Sequence, residues 1–387
     1  MSGRDRLSRL PDPVLLQVLT HAPAKEAACT GALSRPWRSL WLSSGVLNLD
    51  SRSYVHRAGH LCDDGRSLIF IRDAKAALCS LAAADGENSL KKLTFTYLPP
   101  GNGQRDEYMY CSQRHIDDGL DALLTAAPAA RGLEELHVYV SPRDYYSLRV
   151  AALPSDALRA LHLDGLCLTS PLHSPPALAP FALLETLRLC RCAVRLTDLA
   201  AIVDSAPLLA ALELDRVHLS AAPSPDIDQR RLRCPRVTAL SLCNVGGWYG
   251  GLQLDVPSLR RFAYRGFLQH ISFVPPPPAN MARADLHFDL EYLPDEACQV
   301  FWHFVGGFGG AEVLNVNTSR HSLANLGGWC RGLELDAPSL WHFAYRGILW
   351  PFTLVSRPPA GVEQVGLHFL ITGPFSDRSK EEACQLF

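Results

Sequence analysis

The sequence predicts an α/β fold in two parts: a three-helix module over residues 1–50, then a solenoid of parallel strands with helical or irregular return segments. Three observations carry this reading. An apolar–any–apolar pair first seen at Leu93/Phe95 recurs from Leu136 to Phe369 at intervals in the twenties, the first forty residues carry helix signals, and a block of 43 residues near the C-terminus is repeated.

The helical module comes first. Asp12 is a suitable N-cap and Pro13 suits the first helical position, where a missing N–H costs nothing. Val14, Leu15, Val18 and Leu19 then gather on one side of a helix about two turns long. Pro23 and the run Ala24–Cys29 predict a second helix ending at Gly31. Ser34 can cap a third, in which Trp37, Leu40 and Trp41 fall at i, i+3 and i+4 and Pro36 is tolerated in the first turn. Three helices this short cannot bury much apolar surface alone, so the module is expected to leave an apolar face for a partner.

The order of residues is more specific than their spacing. Leu10-Pro11-Asp12, Val14-Leu15-Leu16, Val18-Leu19, Pro23-Ala24-Lys25-Glu26, Leu33-Ser34-Arg35, Trp37-Arg38-Ser39-Leu40-Trp41 and the trailing Leu47-Asn48-Leu49-Asp50 together resemble the F-box of plant F-box proteins with leucine-rich repeats. Pro36, where the family has a basic residue, and Ala22, where a larger apolar residue is common, depart from the pattern. The resemblance implies docking on an SKP-type adaptor and, through it, on a cullin. The implied contacts are Leu10, Pro11, Leu15, Leu16, Leu19, Leu33 and Trp37, whereas Val14, Val18 and Leu40 are open to either core or interface. It also implies a protein substrate held by the repeats, no catalytic residues in this chain, and a place in the nucleus or cytoplasm. The alternative is a leucine-rich-repeat scaffold whose F-box is vestigial and recruits no ligase.

After a transition and helical stretch over 51–90, residues 91–387 settle into the repeat. From Leu136 the pairs begin 25, 26, 25, 28, 22, 24, 28, 29 and 24 residues apart. Residues two apart on a strand face the same way, so each pair is a short strand turned toward a common core, the signature of a leucine-rich-repeat solenoid. Asp117–Ala127 and Leu196–Ser205 have helical periodicity. Ser170–Pro180 and Ala221–Asp228 are Pro-rich and expected to be irregular, and Pro99–Gln113 reads as an exposed insertion. Gly246–Phe288 aligns without gaps to Gly327–Phe369, with 23 of 43 positions identical, and the duplication extends to 246–301 and 327–387. The second copy ends at Phe387 in mid-repeat, so an uncapped end is expected there.

Of 387 residues, 48% are hydrophobic and 20% charged, with a formal net charge of −2, which argues for a folded chain with no global basic field for nucleic acid or anionic lipid. No secretory signal or membrane-spanning run is seen, so the 12 cysteines read as reduced thiols. Cys190 and Cys192 lack a second pair at metal-ligand spacing, and no nucleotide, zincin or hydrolase motif occurs, so no metal or cofactor is expected. His162, His287 and His368 sit at outward strand positions and read as solvated. Gly246–Gly251 reads as a turn between repeats, and Pro275–Pro278 as a spacer rather than a ligand. Tyr264 and Tyr345 read as core. Trp341 and Trp350 are the candidates for touching a cargo protein.

Overall fold

A computed structural model describes residues 10–30, 37, 40–41, 43–54, 63–82, 90–98, 119–125, 132–141, 146–154, 156–169, 181–220, 230–247, 251–267, 271–290, 301, 303–320, 333–335, 342–347, 352–354 and 364–369. They fall into two compact units, one of residues 1–229 with 245–248, the other of residues 230–244 with 249–387.

In the first unit, α1 (Asp12–His21) and α2 (Ala24–Thr30) lead into the repeats. Helix α1 starts at Asp12 itself, one residue earlier than the capping pattern suggests, with extended Pro11 as the residue before it. Leu15, Leu19, Ala27 and Trp37 form a small core, with Ala22, Leu40 and Trp41 packed against it. Each fully buried leucine there contributes about 1.5–3 kcal/mol.

Six strands of this unit form a parallel ladder: β1 (Val46–Asp50), β2 (Lys92–Tyr97), β3 (Glu135–Val140), β4 (Ala160–Asp164), β5 (Thr186–Cys190) and β6 (Ala211–Asp215). Leu47, Leu93, Leu136, Leu161, Leu187 and Leu212 pair in one row, and all are buried. The segment Leu47–Asp50, which the sequence assigns to the end of the helical module, is therefore also the first strand of the ladder. The module is seated on it: the Asn48 amide donates to the carbonyls of Thr20 (2.7 Å) and Ala22 (3.2 Å), and Lys25 Nζ lies 3.9 Å from the centre of the Tyr54 ring.

Opposite the ladder, the return segments include α3 (Asp63–Ala82), a helical turn over 119–125 and α4 (Leu196–Asp204). Two of them meet the helical expectations. A second parallel sheet also runs through the returns, made of Tyr146–Arg149, Leu166–Thr169, Ala193–Arg195 and His218–Ser220. These strands of three or four residues are too short to declare a period. Two acids are buried in this layer, each met by an arginine: Asp121 by Arg149 and Asp198 by Arg195 at 2.8 Å.

The second unit carries β7 (Ala239–Cys243), β8 (Arg261–Gly266), β9 (Arg283–Leu290), β10 (Val313–Arg320), β11 (His342–Gly347) and β12 (Gln364–Phe369) in a parallel ladder. Its return strands are Arg231–Arg233, Leu252–Asp255 and Ile271–Phe273, with Leu333–Leu335 pairing Phe352–Leu354. The duplication is structural: Leu252–Asp255, β8, Ile271–Phe273 and β9 each have a counterpart beginning 81 residues later. One phase differs from the sequence reading. Phe262 pairs with Ala284, not Leu286, and Ala284 pairs with Leu314, so the in-register intervals are 22 and 30 rather than 24 and 28. Strand β9 has three inward residues, Ala284, Leu286 and Phe288, and any two neighbours among them satisfy the apolar–any–apolar pattern. The Pro99–Gln113, Ser170–Pro180 and Ala221–Asp228 segments and the end of the chain over 370–387 lie outside the described residues.

Candidate docking surfaces

Helix α1 separates its apolar residues into two sets. Leu15 and Leu19 are 3% and 2% exposed, and Trp37 is buried against them. Val14 and Val18, one turn apart on the helix, are 41% and 48% exposed, and Leu10, in the extended lead just before it, is 36% exposed. Of the residues expected to contact a partner, Leu10 and Pro11 are on the surface and Leu16 is half-buried. Leu15, Leu19 and Trp37 support the helix from within, because a surface this small needs their burial to hold its shape. Leu33 lies outside the described residues. Val14 and Val18, which spacing left open between core and interface, are on the outside. A helix reading VLLQVL is apolar on most of its circumference, and spacing alone does not say which side faces in.

The second surface is the outward face of the ladder. In the first unit its charges are matched across strands. Lys91 reaches Glu134 at 3.3 Å, Lys92 reaches Glu135 at 2.7 Å, Arg159 reaches Glu185 at 2.5 Å and Arg188 reaches Glu213 at 3.2 Å. Arg191 lies against Asp164 with two donors, at 2.7 and 2.5 Å, and its basicity is raised by that contact. Lys92 likewise holds the Glu135 carboxyl below its ordinary range. Between these pairs the rings of His137 and His162 stack, 4.3 Å apart. Burial, then the neighbouring His162 and Lys92, lowers His137 to about 4, and burial followed by Arg188 lowers His162. His162 is thus half-buried in a stack rather than solvated. His287 is half-buried too, with Nε2 3.4 Å from Asp289. The side chain of His368 is not described.

An open cavity of about 480 Å³ lies where α1 meets β1–β3, lined by His21, Asp50, Arg52, Lys92, Thr96 and His137 among others. Its cations are already engaged, Arg52 by Asp50 at 2.6 Å and Lys92 by Glu135. Among the described residues no group of histidine, cysteine or acidic side chains is arranged to hold a metal ion. Cys192 is buried and its thiol is pushed up to about 12 by desolvation, which makes it a poor nucleophile. Trp341 and Trp350 fall outside the described residues. Tyr264 is buried, as expected.

Residues 7–49 match the F-box domain family, and residues 121–270 match the family described as FBD-associated F-box protein At5g56370, LRR repeats. Curated relatives come from Arabidopsis thaliana. The F-box/FBD/LRR-repeat protein At5g22700 is 41% identical over 75 residues, covering 19% of this chain and 17% of that protein. The F-box/FBD/LRR-repeat protein At5g56420 is 50% identical over 52 residues, 13% of this chain and 12% of the relative. The F-box/LRR-repeat protein At1g48400 is 26% identical over 169 residues, 43% and 31% respectively. The chain spans less than a third of the length of each of these relatives.

Proposed function

This chain joins an F-box domain to leucine-rich repeats, and we propose that it is the substrate-recognition subunit of an SKP–cullin–F-box ubiquitin ligase. The observation that carries the proposal is the exposed row Leu10, Val14 and Val18, apolar surface on the F-box that the module's own core does not use. In this reading the row docks on an SKP-type adaptor, Leu15, Leu19 and Trp37 keep the helices in place beneath it, and the ladder holds a target protein. The chain then works without covalent chemistry of its own: it brings target lysines near a charged ubiquitin carrier, raising their effective concentration. Cys29, Cys79, Cys190 and Cys192 are free thiols, in keeping with work in the nucleus or cytoplasm.

The test is capture of a purified SKP-type adaptor by the full chain. Val14→Asp with Val18→Asp places two charges in the contact and is expected to weaken capture roughly thirtyfold, the worth of an interface anchor of about 2 kcal/mol. Both side chains are exposed, so the far-UV circular dichroism should not change. Undiminished capture would mean that the adaptor sits elsewhere. No capture by the unaltered chain would favour a repeat scaffold with a vestigial F-box.

A further inference from the structure

The two ladders treat outward charge differently. In the first unit, cations at the strand starts face acids on the next strand. In the second unit, register sets Arg261 beside Arg283, and both are exposed. Arg283 is held by Asp285 at 2.6 Å, and Asn315 donates to the other oxygen of the same carboxylate, also at 2.6 Å. That acid is thereby occupied. Arg261 and Arg265 have no ion-pair partner among the described residues. Like charges on neighbouring strands destabilise a sheet, so this arrangement favours an anion arriving from outside. The row through Arg265 continues with His287 and Asn317 and, by register alone, reaches Arg346 and His368, with no acid at any of these positions. Arg346 is the copy of Arg265 in the duplicated block, so the cation recurs with the repeat. Two residues beyond Arg265, Phe267 is 48% exposed and offers an apolar contact beside the charge.

We infer that the outward face of β8 and β9 docks an acidic segment of the target protein, its carboxylates meeting Arg261 and Arg265 and an apolar side chain meeting Phe267. This rests on the reading of the repeats as the target-holding part and adds the chemistry of what they hold. A protein segment suits this face better than nucleic acid, because Asp285 and Asp289 stand within it and leave room for a few spaced carboxylates but not for the unbroken charge of a phosphate backbone.

A fluorescent Gly-Ser peptide carrying three spaced glutamates and one leucine is the probe, titrated with the full chain by anisotropy at low salt. Binding is expected, and Arg261→Glu with Arg265→Glu should weaken it by about tenfold or more, as loss of two exposed ion contacts predicts. Arg72→Glu with Lys75→Glu makes the same change in net charge on α3 and should leave binding unaltered. Three results would each overturn the inference: no binding above a Gly-Ser peptide, equal weakening by the α3 pair, or tighter binding of an oligouridylate through the same arginines. Adaptor capture measured on the same samples reads the ligase proposal separately, since these arginines are not on the F-box.

Discussion

From β4 to β6 the first ladder is lined by aliphatic rows beneath charges matched across strands, whereas the second is lined largely by aromatic rings and leaves Arg261 and Arg265 without an ion-pair partner among the described residues. Inside the first, Leu161, Leu163, Leu187, Leu189, Leu212 and Leu214 repeat almost without variation. Inside the second, Phe262 lies flat against Phe308 at 5.1 Å and meets Phe273 edge-on at 5.4 Å, while Phe288 meets Phe301 at 4.8 Å. The even intervals of 25, 26 and 25 residues from β3 to β6 let identical leucines stack in register, whereas larger rings pack beside the intervals of 22 and 30 around β9.

The largest expected effect probes the aromatic core. Phe262→Ala should cost about 3–5 kcal/mol, because it empties a site bounded by Phe273 and Phe308. Hydrogen exchange should then rise through β7–β11 while β1–β6 stay protected. Equal loss of protection in both ladders would erase the distinction between them. The matching change Leu189→Ala in the first unit should cost about 2–5 kcal/mol and show the reverse pattern.

How much of this was legible in the sequence follows from the range of each interaction. The inward rows were legible because burial imposes a period of two on every strand, whatever its neighbours. The tie of Leu47 and Leu49 to the ladder was not, because the F-box resemblance claimed the same residues. The strand ends were hidden as well. Gly165, Arg191, Arg216 and Asn244 each follow a ladder strand and each has positive φ. Only the first is a glycine, and there a Cβ would collide with the Val140 carbonyl oxygen. Arg191 accepts the left-handed conformation because its N–H donates to the Asp215 carbonyl at 2.7 Å while its guanidinium binds Asp164. Those partners come from other repeats, 24 and 27 residues away, and no local signal marks them. Pairing of outward charges depends on register in the same way, which is why the contrast between the two faces emerged only from the fold.

A smaller effect tests the histidine stack, a feature of the first ladder. His137 is lowered to about 4 by burial and by His162, whereas an unfolded histidine titrates near its ordinary 6.5. The unfolded chain therefore takes up a proton first as pH falls. Any stability that depends on neutral His137 is intact above pH 6.5 and is lost progressively down to about pH 4. Lys92, Glu135, Arg188 and Glu213 surround the pair, and the carboxylates moderate the loss. His137→Gln should flatten the urea midpoint of the first unit between pH 6.5 and 4. An unchanged slope would show that the stack does not govern acid sensitivity.

The smallest effect has the sharpest sign. Lys92 and Glu135 are both partly exposed, so Lys92→Gln should cost the first ladder about 0.2–1 kcal/mol at low salt. Arg261→Gln removes a cation that has no ion-pair partner among the described residues and stands beside Arg283, so it should cost nothing or stabilise the second ladder by a few tenths of a kcal/mol. Both effects should vanish at about 1 M salt, where the screening length falls to about 3 Å. Urea midpoints at the two salt concentrations supply the comparison. If Arg261→Gln proved as costly as Lys92→Gln, the second face would be as internally satisfied as the first, and its need for an acidic partner would disappear. Opposite signs that converge in salt would instead locate the unmatched charge on β8.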